Sequence, residues 1–283
     1  PDDATLARVL ASGRRRVAVH AEDEARLVAR RALATDDVAS HAVWRDAECA
    51  RLATQRLLAL AARVGRRVHL LHVTTADELP LLAAARDLAT FEILPQHLTL
   101  CAPACYAELG TRAQMNPPIR DHHHQAALWD AITSGLCDML ATDHAPHTLE
   151  EKARPYPTSP SGMPGVQTLV PVMLDHVAAG RLTLERLVDL VCTGPARVWG
   201  LAGKGRIAPG YDADLTVVDL TARTTVTDAQ MASRCGWTPL AGRELVGAPV
   251  ATVVRGALAM QDGALVGVAR GQAARFVETL APA

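Results

Sequence analysis

Residues 141–152 read ATDHAPHTLEEK and set Asp143, His144 and His147 close together, directly after the apolar run GLCDML. A carboxylate can shuttle a proton or bind a cation, and a neutral imidazole is a common metal ligand. The stretch is therefore either one side of a metal and substrate site or a polar loop. Two other apolar runs also close on histidine: His20 ends RRVAVH and His72 ends RRVHLLH. In a barrel of parallel strands the strand C-termini gather on one face, so residues remote in sequence converge there. His20, His72 and Asp143 together are an ordinary ligand set for catalytic zinc, which lowers the pKa of a water to roughly 7. For any single histidine a hydrogen-bonded loop role is the commoner one. Recurrence at three strand ends is what favours the metal site.

The elements that must position these residues follow from periodicity. β-Branched runs at 15–24, 66–75, 89–98 and 137–147 alternate with segments of helical spacing at 36–64, 76–88 and 122–135. A Gly/Pro loop then leads into a helix, and a further helix over 183–201 starts at Thr183. This alternation predicts an α/β architecture with parallel strands. From Gly203 the texture changes to short strands, over 203–220 and 249–267, split by Gly- and Asp-containing turns, and QDGAL predicts a hairpin. A boundary near 202 divides an α/β part, 1–202, from a small β domain, 203–283.

Composition bounds the function. With 29 basic against 30 acidic residues, the 283-residue chain has no charge bias towards nucleic acid or an anionic membrane. No apolar run nears the roughly 18 residues of a membrane span. PDDATLARVL lacks the charged and apolar regions of a signal peptide, which suggests the cytoplasm. It also lacks an initiator Met and opens inside a helical pattern, so a fragment of a longer protein is expected. The six cysteines are scattered, and Cys101 and Cys105 have no second pair to complete a structural zinc site, so free thiols are expected.

The residues carry a resemblance. ATDHAPHTLEEK resembles the second signature of dihydroorotases: small residue, Ser/Thr, Asp, any residue, Ala-Pro-His, four residues, Lys, ending here on Lys152. VHAEDE and LHVTT are similar to that family's histidine motifs after strands five and six, MNPPIR (115–120) to its substrate loop, and GKGRIAPGYDADLTVVDL (203–220) to a β-domain segment of the amidohydrolase superfamily. The resemblance implies the C-terminal part of a TIM (β/α)8 barrel, about strands five to eight, with a small β-sandwich-type domain. It implies His20 and His72 as ligands of one zinc, and Asp143 as both a zinc contact and the general acid/base. Asn116 and His147 would bind the substrate, and Ser161 and Gly162 would line its ring. The implied reaction is reversible hydrolysis of (S)-dihydroorotate to N-carbamoyl-L-aspartate in pyrimidine synthesis, with two zinc ions in a complete site and a homodimer as the assembly.

Two other functions fit less well. Allantoinase or dihydropyrimidinase activity belongs to the same branch, but His147 suits a substrate carboxylate. A non-catalytic partner of aspartate transcarbamoylase is expected to lose ligands, whereas His20, His72 and Asp143 remain. The family's first signature, Asp-x-His-x-His-x-x-Arg, and its bridging lysine or aspartate are absent from these residues. The chain alone is therefore expected to be inactive. Histidines 122–124 are expected at a solvent-facing helix start, His69 in packing, His144 in support of a ligand and His97 at the pocket edge. Arg14–Arg16 reads as a solvated turn, and Lys152 has no assigned chemistry.

Overall fold

The computed structural model describes residues 2–268 and 271–279. They fall into two compact units: 2–137 with Ala141–Val166 and Asp228–Pro239, and Asp138–Leu140 with Gln167–Thr227, 240–268 and 271–279.

In the first unit, helix α1 (Asp3–Ala11) leads to strand β1 (Val17–Val19). Helices α2 (Glu24–Ala29), α3 (Ser40–Trp44) and α4 (Ala47–Val64) follow. The helical pattern expected over 36–64 is thus broken before Ala47, where Asp46 leaves helical geometry and its side chain accepts from the Cys49 N–H. α4 ends at Gly65, in the left-handed region that glycine enters at little cost. Its buried residues, including Cys49, Ala50, Leu57, Leu60 and Ala61, recur at helical spacing. Strand β2 (Val68–Leu70) pairs in parallel with β1 and with β3 (Ala89–Ile93), and helix α5 (Leu79–Ala84) makes the crossover. β2 is buried at every position, as a strand covered on both faces must be.

The strands are shorter than the β-branched runs suggested. The run 89–98 turns after Ile93 into helix α6 (Pro95–Thr99), because Pro95 suits a first helical turn and lacks the N–H a ladder needs. Helices α7 (Ala104–Leu109) and α8 (His122–Thr133) complete this part. Asp121 caps α8 by accepting from the N–H groups of His123 and His124. His122 and His123 are exposed as expected, whereas His124 is turned inward and accepts the Ala76 N–H. An apolar cluster of Leu94, Tyr106, Met115, Ile119, Met163 and Trp237 includes two residues of the loop 114–120. The short helix α9 (Leu149–Lys152) opens with a capping box between Thr148 and Glu151.

The second unit contains β4 (Met139–Leu140) and helices α10 (Leu169–Ala178), α11 (Leu184–Val188) and α12 (Gly194–Trp199). A π turn over Asp189–Thr193 interrupts the helix expected across 183–201. An antiparallel sheet follows, in the order β5 (Leu215–Thr225), β6 (Glu244–Val254), β7 (Ala257–Gln261) and β8 (Ala264–Leu265). The hairpin read from QDGAL is there: Asp262 and Gly263 take φ of 49° and 81° between β7 and β8. Arg255 and Gly256 turn β6 into β7 in the same way. All six cysteines are free thiols, and burial pushes Cys49 and Cys105 up to about 12.

Candidate active site

Parallel pairing of β1 with β2 sets Val19 beside Leu70, and the chain just past each strand carries a histidine. The rings of His20 and His72 meet edge to face with centroids 4.7 Å apart, and His20 Nδ1 lies 3.0 Å from His72 Nε2. His20 Nε2 lies 3.0 Å from Glu22 Oε2. Glu22 also accepts two hydrogen bonds from Arg45, at 3.1 and 2.9 Å. Burial acts to raise the Glu22 carboxyl, but the His20 hydrogen bond and the Arg45 charge hold it below the usual carboxylate range. An ionised Glu22 can only accept, so His20 carries its proton on Nε2 and presents the Nδ1 lone pair towards His72. Burial, with the neighbouring His20 adding to it, pushes His72 down to about 4, so its ring is neutral at physiological pH.

His72 and Asp143 both sit in the left-handed backbone region, with φ of 36° and 42°. Few residues other than glycine adopt it without cost, and such strain concentrates where side-chain aim matters. Ala141, just ahead of Asp143, donates its N–H to Ile93 at 3.3 Å, which carries this segment past the end of β3. Asp143 stays open to solvent. What burial its carboxyl has raises its pKa, with nearby His20 acting the other way.

Two imidazole nitrogens that converge, one ring held by a carboxylate, suit a divalent transition metal. Among the described residues no group of three or more His, Cys, Asp or Glu is gathered closely enough to hold an ion. The convergence is thus of two imidazole nitrogens, with the Asp143 carboxyl near enough to feel His20.

The expected substrate residues lie in three supported positions. Asn116 Oδ1 is 3.0 Å from His41 Nε2, which also reaches the Met115 carbonyl at 3.0 Å. His41 Nδ1 faces the Tyr156 hydroxyl at 3.2 Å. Since Nε2 faces two acceptors, it carries the proton, and Tyr156 donates to Nδ1. Burial above all, with the Arg45 charge adding, pushes His41 down to about 4 and keeps it neutral. The Asn116 oxygen is thus occupied, and its amide N–H groups are what it has to offer.

Ser161 Oγ accepts from Gln114 Nε2 at 3.1 Å. The Gly162 N–H donates to the Gln114 carbonyl at 2.9 Å, and a Cβ on Gly162 would lie 2.5 Å from the Ala145 carbonyl oxygen. Only glycine fits there. His147 Nδ1 is 3.3 Å from Glu151, and its carbonyl accepts the indole N–H of buried Trp237 at 2.7 Å.

His144 lends its Nδ1 to the N–H groups of Gly165 and Val166 and so supports the loop 162–166. His97 is fully buried rather than at an edge. Its Nε2 reaches the Pro117 carbonyl and its Nδ1 has no partner among the described residues. His69 is buried in the sheet, 3.0 Å from Glu92. A cavity of about 330 Å³, lined by Tyr106, Arg120, Asp121 and His124 among others, includes none of the expected site residues.

Glu22, His41, Arg45, Gln114, Tyr156 and Trp237 were not legible as site residues in the sequence. Only Glu22 had a local signal, a carboxylate two positions after His20.

The family model of the amidohydrolase family matches residues 9–258. A dihydroorotase of Halobacterium salinarum is 39% identical over 241 residues, 85% of this chain and 56% of that protein. A dihydroorotase of Pelotomaculum thermopropionicum is 42% identical over 211 residues, 73% of this chain and 49% of that protein. The chain thus spans about half the length of these curated relatives. Among solved structures, the L-hydantoinase (dihydropyrimidinase) of Arthrobacter aurescens superposes with a TM-score of 0.89 at 30% identity, covering 94% of this chain and 62% of that one. The dihydropyrimidinase of Brevibacillus agri gives 0.86 at 28% identity, with the same coverage.

Proposed function

The chain belongs to the amidohydrolase family, and from that premise we propose that it forms part of a dihydroorotase, which hydrolyses (S)-dihydroorotate reversibly to N-carbamoyl-L-aspartate. The observation that carries the reading is the convergence of His20 Nδ1 and His72 Nε2 at 3.0 Å, with Glu22 fixing the tautomer. It falls beside a signature shared with dihydroorotases, and curated relatives of that name are 39% and 42% identical. In this reading β1 to β4 are about strands five to eight of a (β/α)8 barrel. Residues 203–283 form the small β-sandwich-type domain, with the division at residue 202, just after α12.

His20, His72 and Asp143 would hold zinc, two ions in the complete site, and the metal when bound supplies Lewis acidity at the scissile carbonyl. Asp143 takes the proton of the attacking water and delivers it to the ring nitrogen as the carbon–nitrogen bond breaks, a shuttle suited to a carboxylate. Asn116, its oxygen already accepting from His41, would bind the substrate. His147, whose Nδ1 is turned to Glu151, would bind the substrate carboxylate. Ser161 and Gly162 line the ring.

A homodimer in the cytoplasm, with aspartate transcarbamoylase as a possible partner, belongs to the same proposal. Among the described residues no helix is long and apolar enough to cross a membrane.

The structural likeness to hydantoinases and dihydropyrimidinases supports a second reading, hydrolysis of an uncharged cyclic amide. Assay of the full-length protein against dihydroorotate, hydantoin, dihydrouracil and allantoin separates the two. Preference for dihydroorotate is expected, and turnover of the uncharged rings alone would refute the first reading.

A further inference from the structure

Lys152 ends the dihydroorotase-like signature, yet nothing in the proposed chemistry uses it. It is 1% exposed. Its ammonium donates to three backbone carbonyls: Gln114 at 3.1 Å, Pro160 at 2.8 Å and Gly162 at 3.0 Å. An ammonium has three N–H donors, so the set is complete. No carboxylate pairs with it among the described residues, and burial alone pulls its pKa down to about 8.

The three carbonyls belong to the two segments that carry Asn116 on one side and Ser161 and Gly162 on the other. The same segments are joined by the Gly162 N–H to the Gln114 carbonyl, and by Gln114 Nε2 to the Ser159 carbonyl at 3.0 Å and Ser161 Oγ at 3.1 Å. At the other end of the residue, Thr111 Oγ1 donates to the Lys152 carbonyl. One buried cation therefore fastens both walls to α9, the short helix that follows His147.

An unpaired buried charge is costly, and what offsets it here is three carbonyls drawn from the segments on either side of the proposed site. We infer that Lys152 is a positioning residue: its ammonium clamps segments 114–116 and 160–162 at the separation that the substrate requires. The inference rests on the proposed role of Asn116, Ser161 and Gly162.

The test uses the full-length, metal-loaded protein and Lys152→Met, which keeps an unbranched chain one atom shorter and removes every donor. Amide hydrogen exchange in 112–116 and 158–163 is expected to speed at least about tenfold while α4 stays protected. KM for dihydroorotate is expected to rise about tenfold with kcat within about threefold, the pattern of lost binding rather than lost chemistry. Metal content should not change. Lys152→Gln, which returns two donors, should recover part of both effects. Unchanged exchange in the two segments overturns the inference, as does a uniform rise across the chain. If the wild type does not turn over dihydroorotate, the functional reading fails by itself and the exchange result alone decides the clamp. Should Lys152→Met not fold, the Gln variant carries both readings. If neither folds, Lys152 serves folding and the inference is overturned.

Discussion

Replacing Glu22 with glutamine removes one charge and one acceptor from a closed arrangement. The wild-type carboxylate accepts from His20 at 3.0 Å and from Arg45 at 3.1 and 2.9 Å, with side chains of Glu22 and Arg45 only 1% and 11% exposed. A glutamine amide can satisfy one of these partners with its oxygen but must turn N–H groups towards the other, setting donor against donor. Arg45 is also left without its counter-charge. Because water hardly screens this pair, the cost of breaking it falls in the range of about 3–5 kcal/mol rather than the fraction typical of surface pairs. The metal effect is separate. Freed from Glu22, His20 no longer has a fixed tautomer, and loss of such a partner typically weakens metal binding about 10–100-fold. That is about 1.4–2.7 kcal/mol. Urea denaturation of the metal-free full-length protein reads the first effect, and zinc competition with a chromophoric chelator reads the second. If Glu22→Gln binds zinc as tightly as the wild type, Glu22 does not orient His20 towards a metal, and that part of the site reading is wrong.

Asp143→Asn should lower kcat about 10²–10⁴-fold while His20 and His72 keep their geometry, and retention of wild-type kcat would remove Asp143 as the proton shuttle. Residues 1–283 expressed alone should not turn over dihydroorotate at full-length rates, because no three-ligand cluster is present among the described residues; full-length rates from this polypeptide would contradict the reading. His41 has a folded-state pKa of about 4 against an ordinary 6.5, so between those values the unfolded chain binds the proton and the folded one does not. Its contribution therefore rises with pH across that window and is lost as pH falls from 6.5 towards 4. His41→Gln should flatten the pH dependence of the urea midpoint between pH 7 and pH 5, and an unchanged slope would place the acid sensitivity elsewhere.

Much of this protein was legible where the deciding physics is local. The turn at Asp262 and Gly263 follows from residues that tolerate positive φ, and the cap at Thr183 from a short side chain that accepts from a nearby N–H. His20 and His72 were legible because strand ends are visible in the apolar pattern and parallel pairing aligns them. Strand length was not legible: β4 spans two residues, although the apolar run around it is longer. Ladder pairing depends on the neighbouring strand, which local composition does not specify.

The supports of the site were decided only by tertiary structure. His41 meets Tyr156 across 115 positions and Asn116 across 75, and Trp237 meets His147 across 90. No periodicity links such residues, since packing alone brings them together and burial then makes each hydrogen bond obligatory. Lys152 shows the division most sharply. Its place in a motif was visible in the sequence, and a surface lysine would have been the ordinary expectation. Only the folded chain reveals a buried ammonium with three carbonyl partners, because those carbonyls come from segments that meet nowhere but in space.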